Sequence, residues 1–234
     1  MQSEHIFKQY DAELESVRAK VLEMGALVEQ QMVDAMQALT KGNVNLAKSV
    51  IKKDSLVNNL EVQIDEYCSR IIARRQPAAG DLRMVLMMVK SITDLERIGD
   101  EAAKIARFAL KSSEAERKLT PRFVEIKAMA NTAKDMLHMA LDAFARSDAS
   151  KVIEIARMDV EVDEQYQAAI RQLITFMLED PRTISISLEV LFIAKAVERI
   201  GDHAKNIAEN VVYMAQGKDV RHISVEDMQM QIAE

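Results

Sequence analysis

Apolar residues recur every three or four positions along most of the chain, the spacing that lays a single stripe on an α-helix. From about residue 5 to Leu39 the stripe includes Leu14, Val17, Val21, Val28, Met32, Ala35, Met36 and Leu39, and Gly42-Asn43 ends it. A second segment, 44–74, stops at Arg75-Gln76-Pro77, because proline pushes the residue before it out of the α region. A third begins near Asp81, read as an N-cap, and continues to about Lys111. After the polar stretch 112–117, Thr120-Pro121 offers a cap with proline at the first helical position, and a fourth segment runs to Arg146. Ser147-Asp148 is expected to cap a fifth, to about Leu178, which Asp180-Pro181 breaks. A sixth runs from about Ser185 to Ala215 and closes at Gly217. The least helical stretch is 183–187, where Thr-Ile-Ser-Ile-Ser alternates like a strand. In the tail only 225–232 carries a helical pattern.

Six segments of similar length invite a search for duplication. Glu96-Arg97-Ile98-Gly99-Asp100 recurs as Glu198-Arg199-Ile200-Gly201-Asp202, 102 residues on, and positions 81–106 give 9 identities at that offset. Earlier in the chain the best offset is 105, pairing Ala35 with Ala140, Asp54 with Asp159 and Val57 with Val162. The pattern predicts an all-α protein of two tandem antiparallel three-helix bundles, 5–112 and 118–216, followed by a tail, 217–234.

Composition supports this reading and removes others. The 234 residues contain 6 Gly and 3 Pro, where average usage would give roughly thirty. A β-sandwich would need a turn every few residues. The net charge of −6 argues against nucleic acid as a partner. The single cysteine, Cys68, permits no intramolecular disulfide. The N-terminus lacks the layout of a signal peptide, and no apolar run approaches the length of a membrane span, so a cytoplasmic protein is expected. Helix one carries mixed charges and lacks the basic face of an interfacial anchor, which makes any membrane contact indirect. Long apolar stripes rich in Met favour a homodimer.

Helical projection places Asp54, Glu61 and Asp65 on one flank of the second helix, with Val57, Leu60, Ile64, Tyr67 and Ile71 inward. Glu96 and Asp100 lie on a flank of the third. In the second half Asp159 and Asp163 line helix five, while Glu198, Asp202 and Glu209 line helix six. Like charges four apart destabilise a helix by about 0.2–0.5 kcal/mol per pair. Their repetition in register suggests a multivalent cation, since Mg, Mn, Fe or Zn accepts such oxygen ligands. The alternative is a solvated edge with Arg97, Lys104 and Arg199 as counterions. Gly99 and Gly201, each between two acids, are expected to allow close helix approach. His5, His138, His203 and His222 have no metal-ligand spacing, Cys68 reads as a buried thiol, and the 15 Met mostly as core. No catalytic triad, P-loop or dinucleotide fingerprint is present, so no catalytic or cofactor-binding residue is expected.

Two three-helix repeats, each ending in Glu-Arg-Ile-Gly-Asp, resemble the PhoU family of accessory regulators of bacterial phosphate-specific transport. The likeness extends to Ile71-Ile72-Ala73-Arg74-Arg75-Gln76-Pro77, to Leu141-Asp142-Ala143-Phe144-Ala145-Arg146 and to Gly217-Lys218-Asp219-Val220-Arg221-His222. The resemblance implies a non-enzymatic negative regulator of the phosphate-starvation response, with two partners: the nucleotide-binding subunit of the phosphate ABC transporter and a sensor histidine kinase. It also implies metal clusters on Asp/Glu-x-x-x-Asp pairs, here Glu61 with Asp65, Glu96 with Asp100, Asp159 with Asp163 and Glu198 with Asp202. Arg107 stands where helix six has Glu209, and Tyr166 where helix two has Glu61, so the two sites are expected to differ. The rival functions are a carboxylate-bridged di-iron enzyme and a metal-free structural adaptor. The first needs Glu-x-x-His pairs on two helices, and the nearest approach to one is Asp135-x-x-His138.

Overall fold

A computed structural model describes residues 2–114 and 124–233. The elements are α1 (Gln2–Lys41), α2 (Val44–Arg75), α3 (Ala79–Glu114), α4 (Val124–Arg146), α5 (Val152–Glu179), a 3-10 turn (Pro181–Thr183), α6 (Ile184–Gln216) and α7 (Val225–Ala233), with no strand among the described residues. Helices α1–α3 form one bundle and α4–α6 the second.

Local chemistry sets most of the boundaries. The Asn43 side chain accepts from the Leu46 N–H at 3.1 Å and so caps α2. Gln76, held before Pro77, ends that helix in the left-handed region (φ 47°) with its N–H bonded to the Ile72 carbonyl. Asp180 accepts from the Arg182 N–H ahead of α6, and Gly217 (φ 73°) closes α6. Three boundaries depart from the sequence pattern. Helix α3 begins at Ala79, so Asp81 lies in its first turn, where a negative charge suits the helix dipole. Asp148 binds the backbone and hydroxyl of Ser150 in a turn, and α5 starts later, at Val152. The alternating stretch 183–187 is helical, because Ser187 and Val190 turn into the core while Ile184 and Leu188 stay exposed. The Thr120-Pro121 cap lies outside the described residues.

The two bundles share one apolar core. Its seam is α3 against α6, running antiparallel: Asp94 faces His203, Glu101 faces Arg199, Phe108 stacks on Phe192 and Lys111 meets Glu189. A second antiparallel seam joins α1 to α4, where Gly25 lies under Leu141 and Glu29 under His138. Met24, Met32, Met88, Met129 and Met136 are fully buried, as is Cys68. Tyr67, projected inward from the sequence, is instead 38% exposed, between the cations of Lys20 and Arg70.

Gly99 and Gly201 show how deep the duplication runs. A Cβ on Gly99 would meet Gln31 at 3.3 Å and Val57 at 3.4 Å, and one on Gly201 would meet Val162 at 3.6 Å and Met136 at 3.7 Å. The neighbours correspond one to one at the 105-residue offset, Gln31 with Met136 and Val57 with Val162. Approach is tight at Gly99 and ordinary at Gly201, so the expected need for glycine holds in the first repeat only. The closest approach is at Gly25, where a Cβ would overlap Leu141 Cδ2 and lie 2.9 Å from its Cδ1.

Candidate functional site

The acidic stripes come together as edges, one per bundle, along the α2–α3 and α5–α6 junctions. In the first, Glu96 feels the charges of Asp100, Glu61 and Asp54, and Asp54 that of Asp100. Burial is the main force raising the pKa of Asp54, Glu61 and Glu96, with the neighbouring carboxylates adding to it. Asp65 is exposed, and its charge reaches Glu61 and Cys68. In the second, burial first and then the charges of Asp159 and Glu198 raise Asp163. Asp202 is pushed up to about 6 by burial and by Glu198, Asp159 and Asp163. Glu209, buried two turns further along α6, rises to about 7 for the same leading reason.

The edges share one helix register but carry their acids at different positions. Asp54 and Glu61, seven apart, face Glu96 and Asp100 in the first, whereas Asp159 and Asp163, four apart, face Glu198 and Asp202 in the second. Asn58 and Tyr166 occupy the positions that would equalise them at the 105-residue offset.

Three cations sit among these acids. Arg107 lies 3.7 Å from Asp54, Lys205 donates to Asp159 at 2.8 Å and Lys195 donates to Glu198. The counterions expected from the sequence serve elsewhere in part: Lys104 and Arg199 both bind the buried Glu101, while Arg97 lowers Glu61 and Glu96. One oxygen each of Asp54 and Glu198 is buried without a hydrogen bond. In donor type and number the residues suit a hard multivalent cation. Among the described residues, no three His, Cys, Asp or Glu side chains converge on one point as placed.

The other candidates resolve simply. Cys68 is fully buried, and burial pushes its thiol up to about 12, which makes it unreactive. His203 is bonded to Asp94 at 2.9 Å in the inter-bundle seam, and His138 is an exposed partner of Glu29. Asp135-x-x-His138 lies on the surface. The sequence reading passed over Glu101, whose acceptance of two cations across the seam depends on how the bundles dock, and Gln31, whose amide is buried without a partner.

A duplicated three-helix scaffold with an acidic edge on each copy defines a class of tandem-repeat all-α proteins. Similarity assigns the family: the PhoU domain matches residues 21–109 and 126–211, and the chain belongs to the PhoU family. It is 48% identical, over 97% of its length and 94% of the relative's, to the phosphate-specific transport system accessory protein PhoU homolog of Pseudomonas aeruginosa. It is 46% identical to the accessory protein PhoU of Escherichia coli K12, over 99% of this chain and 95% of that one. The crystal structure of PhoU from Pseudomonas aeruginosa superposes with a TM-score of 0.86 at 47% identity, covering 89% of this chain and all of the other. The phosphate transport system regulatory protein PhoU of Streptococcus pneumoniae gives 0.82 at 32% identity, covering 90% and 99%.

Proposed function

We propose that this chain is a cytoplasmic negative regulator of the phosphate-starvation response. It acts as an adaptor without catalytic activity between the nucleotide-binding subunit of the phosphate ABC transporter and the sensor histidine kinase, keeping the kinase quiet when phosphate is plentiful. The observation that carries this reading is near full-length similarity to proteins named as accessory to phosphate-specific transport. No helix among the described residues is long and apolar enough to cross a membrane, in keeping with membrane contact only through the partners. The test is a phosphate-starvation reporter in a deletion strain grown in excess phosphate. Derepression is expected, and repression unchanged by the deletion would overturn the reading.

The acidic edges bind divalent or multivalent metal. Glu61, Asp65, Glu96 and Asp100 would hold it in the first bundle, joined by Asp54, and Asp159, Asp163, Glu198 and Asp202 in the second. Bound metal would supply positive charge to offset the carboxylate repulsion. The buried unpaired oxygens of Asp54 and Glu198 support this assignment. Elemental analysis of protein purified without chelator should find metal that Asp100→Ala and Asp202→Ala remove. Fewer than about 0.1 ions per chain would favour the metal-free adaptor. The chain is proposed to function as a homodimer, which light scattering of the purified protein would test.

A further inference from the structure

We infer that the open end of the α1–α4 seam docks an acidic amphipathic helix of a partner protein. The two ends of this seam are built differently. At one, Arg18 of α1 reaches across to the carbonyls of Phe144 and Ala145 and to the Ser147 hydroxyl, sealing the junction against the C-terminus of α4. At the other, no side chain among the described residues makes an equivalent crossing, and a groove of about 330 Å³ lies between the helices. Val33 and Met36 line it on the apolar side over the buried Met32, and Lys41, Lys127 and Lys134 stand around it.

Charge selects the occupant. No described residue lining this groove is acidic, although the chain carries a net charge of −6. The groove between α1 and α2 includes Glu13, and the one between α3 and α6 includes Glu209 and Asp219. Lys41 and Lys127 make no ion pair among the described residues, and Lys134 is paired only with its exposed neighbour Asp135 at 3.0 Å. The chain's own segment 115–123 is a poor occupant, since it carries Arg117, Lys118 and Arg122 against Glu116 alone. A helix presenting one large apolar side chain between flanking Asp or Glu residues satisfies both features. The flexible methionines adapt to the anchor, and the lysines fix its orientation.

This inference rests on the adaptor reading for the existence of a partner, and the probes are therefore the purified nucleotide-binding subunit of the phosphate transporter and the cytoplasmic part of the kinase. Wild type and the K41E/K127E double variant are titrated with each, and a photo-crosslinking residue placed at Gln37 maps the contact. Both lysines are exposed, so equal melting temperatures are expected. At least one complex should weaken by about tenfold or more in the variant and weaken with salt in the wild type. The crosslink should fall in an acidic amphipathic helix of that partner. Unchanged affinity for both probes would overturn the docking site and leave the adaptor reading intact. So would crosslinks confined to a second copy or to residues 115–123, or charge-dependent binding seen only with vesicles of anionic lipid. Failure of wild type to bind either probe would overturn the adaptor reading and this inference together.

Discussion

Arg199 of α6 reaches across the seam to Glu101 of α3, 2.8 Å away, and thereby ties the second repeat's Glu-Arg-Ile-Gly-Asp motif to the first bundle. The corresponding Arg97 does not reciprocate, because His203 occupies the position equivalent to Glu101 and engages Asp94. Two copies of one motif thus take different roles at a single interface.

Glu101 is buried and shared by Arg199 and Lys104, both more than a third exposed. Solvent screening of the two cations limits the loss when the acid is removed. Glu101→Gln should cost about 1–2 kcal/mol. A double-mutant cycle with Arg199→Met, read by urea unfolding, should give a favourable coupling of about 0.5 kcal/mol or more. Additivity within error would show that the pair contributes no net energy.

The glycines make opposite predictions for one substitution. Gly25→Ala forces Leu141 out of place and should destabilise by about 1–3 kcal/mol. Gly201→Ala meets only ordinary contacts and should stabilise by up to about 1 kcal/mol through helix propensity. Thermal melts of the two variants check both signs, and a loss at Gly201 would mean that α6 packs more tightly than described.

Gln31 buries an amide with no partner at the position where the second repeat places Met136. Gln31→Met transfers the second repeat's solution to the first and should raise stability by about 1–2 kcal/mol. A drop in the chemical denaturation midpoint would indicate that the amide has a partner in solution.

The raised carboxyls give metal-free protein a defined pH response. Asp202 at about 6 and Glu209 at about 7 both lie above their ordinary values of 3.8 and 4.5. Their ionised forms therefore oppose folding. That penalty is complete above about pH 7 and disappears as pH falls through these values toward 4. Glu209→Gln should stabilise the chelated protein by on the order of 2 kcal/mol at pH 8 and by little at pH 4. A pH-independent difference between variant and wild type would show that burial and not ionisation sets the effect. Asp202→Asn should behave alike with a smaller amplitude, because that side chain is more exposed.

Amino-acid order by itself determined six long helices, their duplication and the pairing of acids along helix edges, because each is a matter of spacing along one chain. The 3.6-residue period identified Val57, Ile64 and Ile71 as core, and proline and glycine marked the ends of α2 and α6. That same period misplaced Tyr67, since one helix cannot say where its neighbour stops and Lys20 and Arg70 begin. Tertiary structure alone decided which acids face one another. Glu96 and Asp100 meet Asp54 and Glu61 in the first bundle, while Glu198 and Asp202 meet Asp159 and Asp163 in the second, because α2 and α5 dock in the same register but carry their second acid at different positions, Glu61 against Tyr166 and Asp163 against Asn58. It also decided that Lys195, Lys205 and Arg107 neutralise those edges, that Gly25 is the tightest glycine, and that the α1–α4 seam is sealed at one end and open at the other. Each depends on the docking of helices distant in sequence, and local periodicity carries no information about that geometry.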